Sequence, residues 1–339
     1  MSAKIGGKDI KNKHFMPAQN FDNLTPDIMI DAVERALECP MLGLAAPLPS
    51  YINRVYEFET AEKQRVIAKF YRPGRWKLDA IEAEHRFVAD CAADDIPVIS
   101  PLVLPAGKTL AETDDGIIFT VFPKRFGREV EINDDEAWRR IGMVVARMHL
   151  AGSRAEAHER MLLDPRSTTT NQMRYLLDGH HVSPLYHDEF ERIVSEILEI
   201  IDPLFEDIEY IRIHADLHRA NILERPDEGL MIIDFDDMME GPPVQDLWLL
   251  LPEHLHKSRR EFDLIIEGYT QLRDFELETI RLIEPLRAMR IIYFLSWCST
   301  QMNDYKFQHN FPDWGNDAFW RREIADLEHQ LQLIKKDKM

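Results

Sequence analysis

One stretch constrains this chain more than any other: His214-Ala-Asp-Leu-His-Arg-Ala-Asn221, followed by Met231-Ile-Ile-Asp-Phe-Asp-Asp237. Asp216 comes two residues after His214, and Asn221 five residues after Asp216. Asp234 directly follows an apolar run, Met231 to Ile233. Each half has a strand reading, Tyr210-Ile-Arg-Ile213 and Leu230-Met-Ile-Ile233, and together they read as a hairpin. The polar groups are therefore expected on loops at strand ends, where reactive groups are usually presented. A lone His-x-Asp is common by chance. The ordered set, closed by Pro243-Val-Gln-Asp-Leu-Trp248, is not.

Phosphoryl transfer needs one carboxylate facing the acceptor hydroxyl. It also needs an amide oxygen and a second carboxylate to hold Mg²⁺ on the phosphates. Asp216, Asn221 and Asp234 supply these groups in the order found in kinases. Two other readings exist. One is a pair of polar turns with acidic caps. The other is a metallohydrolase with His214, Asp216, His218 and Asp234 as ligands. The second leaves Asn221 and Gln245-Asp246 without a task.

The stretch resembles the aminoglycoside/choline-kinase-like branch of the protein-kinase fold, whose members read approximately HGDLHxGN…IDFxD…DL. Over a longer span the chain is similar to a bacterial family of stress-response Ser/Thr protein kinases in that branch. Ser50-Tyr-Ile-Asn-Arg-Val-Tyr56, Lys69-Phe-Tyr-Arg-Pro-Gly-Arg-Trp76, Glu84-His85, Gly241 to Trp248, Ile283 to Arg290 and Asn310-Phe-Pro312 carry that likeness, from about residue 20 to 330. Ala215 departs from the usual glycine, and Arg219-Ala220 stand where glycine is common. If position 215 needs a positive φ, alanine there is strained.

The resemblance implies an α+β, bilobal protein-kinase-like fold. Residues 20–123 form a small antiparallel-sheet lobe covering ATP, and residues 124–335 a larger, mainly helical lobe. It implies transfer of the ATP γ-phosphoryl group to a hydroxyl, with Asp216 acting on the acceptor and Asn221 and Asp234 holding Mg²⁺. Ser50 contacts ATP by carry-over, although Leu48-Pro49-Ser50-Tyr51 is not glycine-rich; the lesser reading is a turn serine. Lys69 is flanked by apolar residues in a strand, where an unpaired lysine is costly. The kinase reading pairs it with phosphates and a helix glutamate; the resemblance favours Glu84 over Glu82. Backbone groups near Phe122 would face adenine, by analogy alone. His218 either polarises the γ-phosphate or packs the loop. Asp236 either assists the metal or is a structural acid. Asp246 either braces the catalytic loop or caps a helix.

The net charge of −19 argues against a nucleic-acid partner and mildly favours basic protein partners. A protein acceptor of unknown identity and a monomeric state are expected. A small-molecule hydroxyl kinase uses the same machinery, so only the long-range resemblance tips the choice to protein. A nucleotide-binding pseudokinase is disfavoured because no catalytic position is missing. Cys39, Cys91 and Cys298 are odd in number and far apart, and read as buried free thiols. With no signal peptide and no apolar run long enough to span a bilayer, the cytoplasm is expected.

Residues 1–20 read as a loose tail. Thr25-Pro26-Asp27 opens a helix striped by Met29, Val33, Ala36 and Leu37. Tyr51–Glu59 and Arg65–Tyr71 read as a hairpin. Pro97–Leu104 and Gly116–Phe122 are expected to complete its sheet, with a hinge at Pro123-Lys-Arg-Phe-Gly127. Helices follow through Trp138–Met148, Phe190–Leu204, Leu282–Trp297 and Trp320–Ile334, while Ser153–Ser183 is weakly periodic. His180-His181 and His254-Leu-His256 read as surface.

Overall fold

The computed structural model describes residues 21, 23–43, 46–50, 52–225 and 229–337. The expected N-terminal tail lies outside the described residues, as does Tyr51. The chain opens on α1 (Pro26–Leu37), where the Thr25 hydroxyl accepts the Ile28 N–H and Asp27 faces the positive end of the helix dipole. Next come β1 (Ala46–Pro47), β2 (Arg54–Glu59), β3 (Arg65–Phe70), α2 (Leu78–Ala93), β4 (Leu110–Glu112) and β5 (Ile118–Pro123). These strands form one antiparallel sheet in the order β1-β2-β3-β5-β4. The core of this part packs α1 against one sheet face through Met29, Val33, Phe58, Val66 and Phe119.

The expected strand Pro97–Leu104 is mostly loop. Val98 makes a single bridge to Ile232, and Leu102 donates to Val121, but no ladder runs on. Pro97, Pro101 and Pro105 remove the donors that a ladder needs. The sheet edge goes instead to Leu110–Glu112.

Beyond Pro123 come β6 (Arg128–Glu129), α3 (Asp135–Gly152), a π-turn at Pro165–Thr169, α4 (Thr170–Asp178) and α5 (His187–Ile201). The chain continues through β7 (Ile211–Ile213), β8 (Ile222–Arg225), β9 (Gly229–Ile232), β10 (Met239–Gly241), α6 (Val244–Trp248) and α7 (Arg259–Tyr269). It ends with α8 (Ile283–Gln301), α9 (Tyr305–Asn310) and α10 (Asp317–Asp337). The two central segments are strands, but not each other's partners. β7 pairs with β10, and β9 pairs with β8. The catalytic-loop candidates thus run between two small sheets. The weakly periodic Ser153–Ser183 holds the π-turn and α4.

The larger core lies among α3, α5, α7, α8 and α10, built on Ile141, Val145, Ile197, Phe262, Leu295 and Leu327. Together the two parts make a bilobal α+β fold. Among the described residues no helix is long and apolar enough to cross a membrane.

Candidate active site

A cleft of about 750 Å³ lies between the sheet and the helices, and the residues singled out in the sequence line it. Ser50, Lys69, Glu84 and Phe122 approach from the sheet side, and Asp216, Asn221 and Asp234 from the two short loops opposite. The loop carrying Ser50 is held without glycines. Arg72 donates its backbone N–H to Asn53 Oδ1 and its Nε–H to the Ile52 carbonyl. Arg72 and Arg54 also pair with Asp304, at 2.8 and 3.5 Å, fastening the loop to the helical side.

Lys69 lies on β3, the central strand, opposite Val55 on β2 and Thr120 on β5. It is therefore no edge lysine reaching for water, and it is 6% exposed. Its Nζ lies 3.0 Å from Asp236, 3.1 Å from Asp234 and 3.8 Å from Glu84. The expected Lys69–Glu84 pair exists, but as the loosest of three. Burial pulls the Lys69 pKa down, yet the charges of Asp236, Asp234 and Glu84 outweigh it and hold the ammonium well above its ordinary range. Burial raises the Glu84 carboxyl to about 7 against the pull of Lys69. Asp236 is buried too, yet Lys69 and Arg75 hold it below the usual carboxylate range. Asp236 is thus the principal buried counter-ion of the lysine. Glu82 points to solvent, as the two-residue offset on α2 requires.

Sequence reasoning missed the second tier of this network. Arg75 pairs with both Asp236 and Asp237, and Tyr293 donates to Asp237. Arg160 donates to the Asp236 and Met238 carbonyls, its guanidinium stacked 3.8 Å above the Trp76 ring. The weakly periodic segment around Arg160 offered no pattern to reveal it. Arg75 and Trp76 did fall inside a stretch singled out by resemblance.

Asp246 settles between its two readings. It is fully buried and accepts the N–H groups of His214 (2.8 Å) and Ala215 (2.7 Å) and the Nε2–H of His149 (3.1 Å). It braces the loop. Burial holds the His149 imidazole below its ordinary range, against the hydrogen bond and charge of Asp246. So tethered, Ala215 adopts φ +67°, the strained conformation the sequence made conditional. Asp234 is also left-handed, at φ +61°, which turns its carboxylate into the cleft.

His214 is buried, with one ring nitrogen near the Ile233 carbonyl and the other accepting from the Asp216 N–H. Both nitrogens are engaged, so the metallohydrolase ligand set fails. Asn221 donates its Nδ2–H to the Asp216 carbonyl at 2.9 Å, which aims its oxygen away from that loop. Its oxygen and the Asp234 carboxylate are hard donors of the kind that suit Mg²⁺, which commonly takes one or two protein oxygens and completes its shell with phosphates and water.

The profile of the phosphotransferase enzyme family matches residues 45–283. The chain belongs to that family. This phosphotransferase is an ATP-using kinase with a hydroxyl acceptor. It is 34% identical over 321 residues to stress response kinase A of Escherichia coli (strain K12), covering 94% of this chain and 96% of that one. It is 31% identical over 318 residues to the serine/threonine protein kinase RdoA of Salmonella typhimurium (strain LT2), covering 94% and 95%. Among solved structures, an amicoumacin kinase bound to AMP-PNP, Ca²⁺ and its ligand aligns at TM-score 0.68 and 17% identity, covering 89% of this chain and 93% of that one. A microcompartment-associated aminopropanol kinase aligns at 0.67 and 17%, covering 92% and 97%. Those two likenesses concern the fold of the phosphotransferase alone.

Two side chains outside the cleft depart from expectation. His254 is half-buried rather than at the surface, and its Nδ1 lies 3.0 Å from the buried Glu284. Cys39 is half-buried rather than buried. All three cysteines are free thiols, as expected.

Proposed function

We propose that this kinase transfers the γ-phosphoryl group of Mg-ATP to a serine or threonine hydroxyl of a protein, in the cytoplasm and as a monomer. The observation that carries the chemistry is the convergence of Asp216, Asn221, Asp234 and Lys69 on one cleft. The protein acceptor is supported by the names of relatives matched over 94% of the chain. The three free thiols support a reducing compartment. The proposed lobes are residues 20–123 and 124–335, meeting where β5 ends at Pro123.

In this reading Lys69 holds phosphate oxygens, and Asp236 and Glu84 keep its ammonium in place. Asn221 and Asp234 hold the metal, which when bound would neutralise charge on the phosphates. Ser50 and the backbone near Phe122 contact the nucleotide. Asp216 receives the acceptor's proton. His218 flanks it in the cleft, with Nε2 3.6 Å from Asp216 Oδ2 and 3.4 Å from the Asn221 amide nitrogen.

The test separates the two central carboxylates. Asp216→Asn should keep Mg-ATP binding and lose about 10²–10⁴-fold in turnover, the range for loss of a general base. Asp234→Asn should weaken ATP binding only when Mg²⁺ is present. ATP titrations with and without Mg²⁺, and labelled-phosphate transfer to mixed protein acceptors, read both. Transfer to small hydroxyl compounds with none to protein would move the acceptor class. Loss of Mg-dependent binding in Asp216→Asn, with binding and turnover intact in Asp234→Asn, would overturn the assignment.

A further inference from the structure

Arg290 lies on α8, a helix whose inner face is buried through Leu286, Met289 and Ile292. In the sequence it closes the stretch Ile283 to Arg290, one of those that carry the family resemblance. Its NH2 donates to Asp216 Oδ1 at 2.5 Å, across 74 residues of sequence. Both side chains line the cleft, Arg290 at 36% and Asp216 at 24% exposure. Among the described residues, the other hydrogen bonds of Asp216 are made by its backbone: its N–H meets His214, and its carbonyl accepts from His218 and Asn221. Those bonds hold the loop but leave the carboxylate free to rotate about its side-chain torsions. The other carboxylate oxygen, Oδ2, lies 3.6 Å from His218 Nε2, beyond hydrogen-bond reach. One oxygen is thus tied to a rigid helix and the other is open to a donor.

We propose that Arg290 is a positioning residue for the transfer, holding Asp216 Oδ1 so that Oδ2 is presented to the acceptor hydroxyl. This rests on the reading of Asp216 as the group that receives the acceptor's proton. In the step, the hydroxyl oxygen forms its bond to the γ-phosphorus and its proton passes to Oδ2. The bond from that phosphorus to the β–γ bridging oxygen breaks, and its electron pair leaves with ADP. A charge-assisted bond at Oδ1 sets the side-chain torsion of the carboxylate before the acceptor arrives, and small misplacements of a reacting group are costly in rate. A lysine would restore the charge but not the planar donor geometry.

The test uses the full chain with Mg-ATP and a protein acceptor that the parent phosphorylates; no transfer by the parent would fault the functional reading, not Arg290. Arg290→Gln should lower kcat about 10–100-fold, with the KM for ATP within about two-fold of the parent, and Arg290→Lys should recover only part of the loss. Added guanidinium should restore part of the activity of Arg290→Gly, which a merely structural role would not allow. The double variant Asp216→Asn/Arg290→Gln should be no slower than Asp216→Asn alone, because the two residues act as a unit. Multiplying losses in the double variant, an unchanged kcat in Arg290→Gln, or a faster enzyme in which the arginine had masked the carboxylate would each overturn the proposal.

Discussion

Ala215 is held in place by its neighbours rather than by its own preference. Asp246 takes its N–H and Gln245 donates to its carbonyl, and φ is +67°. A left-handed alanine costs about 1–2 kcal/mol. Glycine would remove that cost. It would also give up about 0.8 kcal/mol for the buried methyl and about 0.4–1 kcal/mol through a freer unfolded chain. The terms nearly cancel, so Ala215→Gly should melt in urea within about 1 kcal/mol of the parent. Ala215→Val, β-branched at positive φ in a packed site, should lose more than about 2 kcal/mol; a valine variant as stable as the parent would show that the tethers do not enforce this conformation. His85 makes a second residue-scale case. Burial, aided by the Lys69 charge, pushes its imidazole down to about 3. Its nitrogens meet the Tyr71 hydroxyl at 3.1 Å and Thr109 Oγ1 at 2.7 Å. The unfolded histidine takes a proton below its ordinary value near 6.5, whereas the native one stays neutral down to about 3. Stability from this site is therefore complete above that ordinary value and is lost as pH falls toward about 3. His85→Gln should flatten the fall in unfolding free energy between about pH 6 and 4 by up to about 1.4 kcal/mol per pH unit. An unchanged slope in urea titrations would show that the ring protonates in the native fold.

At the scale of elements, the loop from His214 to Asn221 depends on how closely α3 and α7 cross. A Cβ on Gly142 would stand 2.1 Å from the Ile265 carbonyl oxygen, and one on Gly268 2.0 Å from that of Arg139. Backbone meets backbone at both points, so no side chain can swing aside. The crossing brings Tyr269 of α7 to 2.9 Å from His149 Nδ1 of α3, and His149 in turn holds Asp246. Gly268→Ala must push the helices apart. It should lower stability by at least about 1–3 kcal/mol and reduce turnover more than ATP binding, because the loop loses its brace while Lys69 and the sheet are untouched. Thermal melts and ATP titrations on the same variant read both effects. A fully stable, fully active variant would mean that the crossing tolerates a methyl. The errors of the sequence reading also belong to this scale. Pro97–Leu104 has the hydrophobic content of a strand, but its prolines decide otherwise. Tyr210–Ile213 and Leu230–Ile233 are both extended, yet β10 intervenes as the partner of β7. Hydrophobic pattern marks a strand without naming its neighbour.

For the whole molecule, the segment that phosphorylation orders in regulated kinases is already built. Residues 235–237 form a 3₁₀ turn, Met239–Gly241 pair with β7, and α6 starts at Val244. Arg160 and Arg75 clamp the turn through backbone carbonyls and carboxylates. No long loop is left there for a phosphate to organise. Phosphatase treatment of the purified protein should leave turnover unchanged, and a large loss of activity would refute this.

The sequence by itself determined which polar residues of the two loops line the cleft, because their spacing is local. An aspartate, an asparagine five residues on and an aspartate after an apolar strand can be read from residue types and periods alone. It also marked Lys69 as needing a partner, since a lysine amid apolar strand residues must find one. Only the tertiary structure decided which partner is strongest. Asp236 and Asp234 lie 167 and 165 residues from Lys69, and they outrank the glutamate that the motif suggested. It alone brought Arg290 to Asp216 and Arg160 to the turn after Asp234. Charge–charge contact depends on distances across the cleft. Those distances are set by helix crossings and strand partners, which no single stretch of sequence contains.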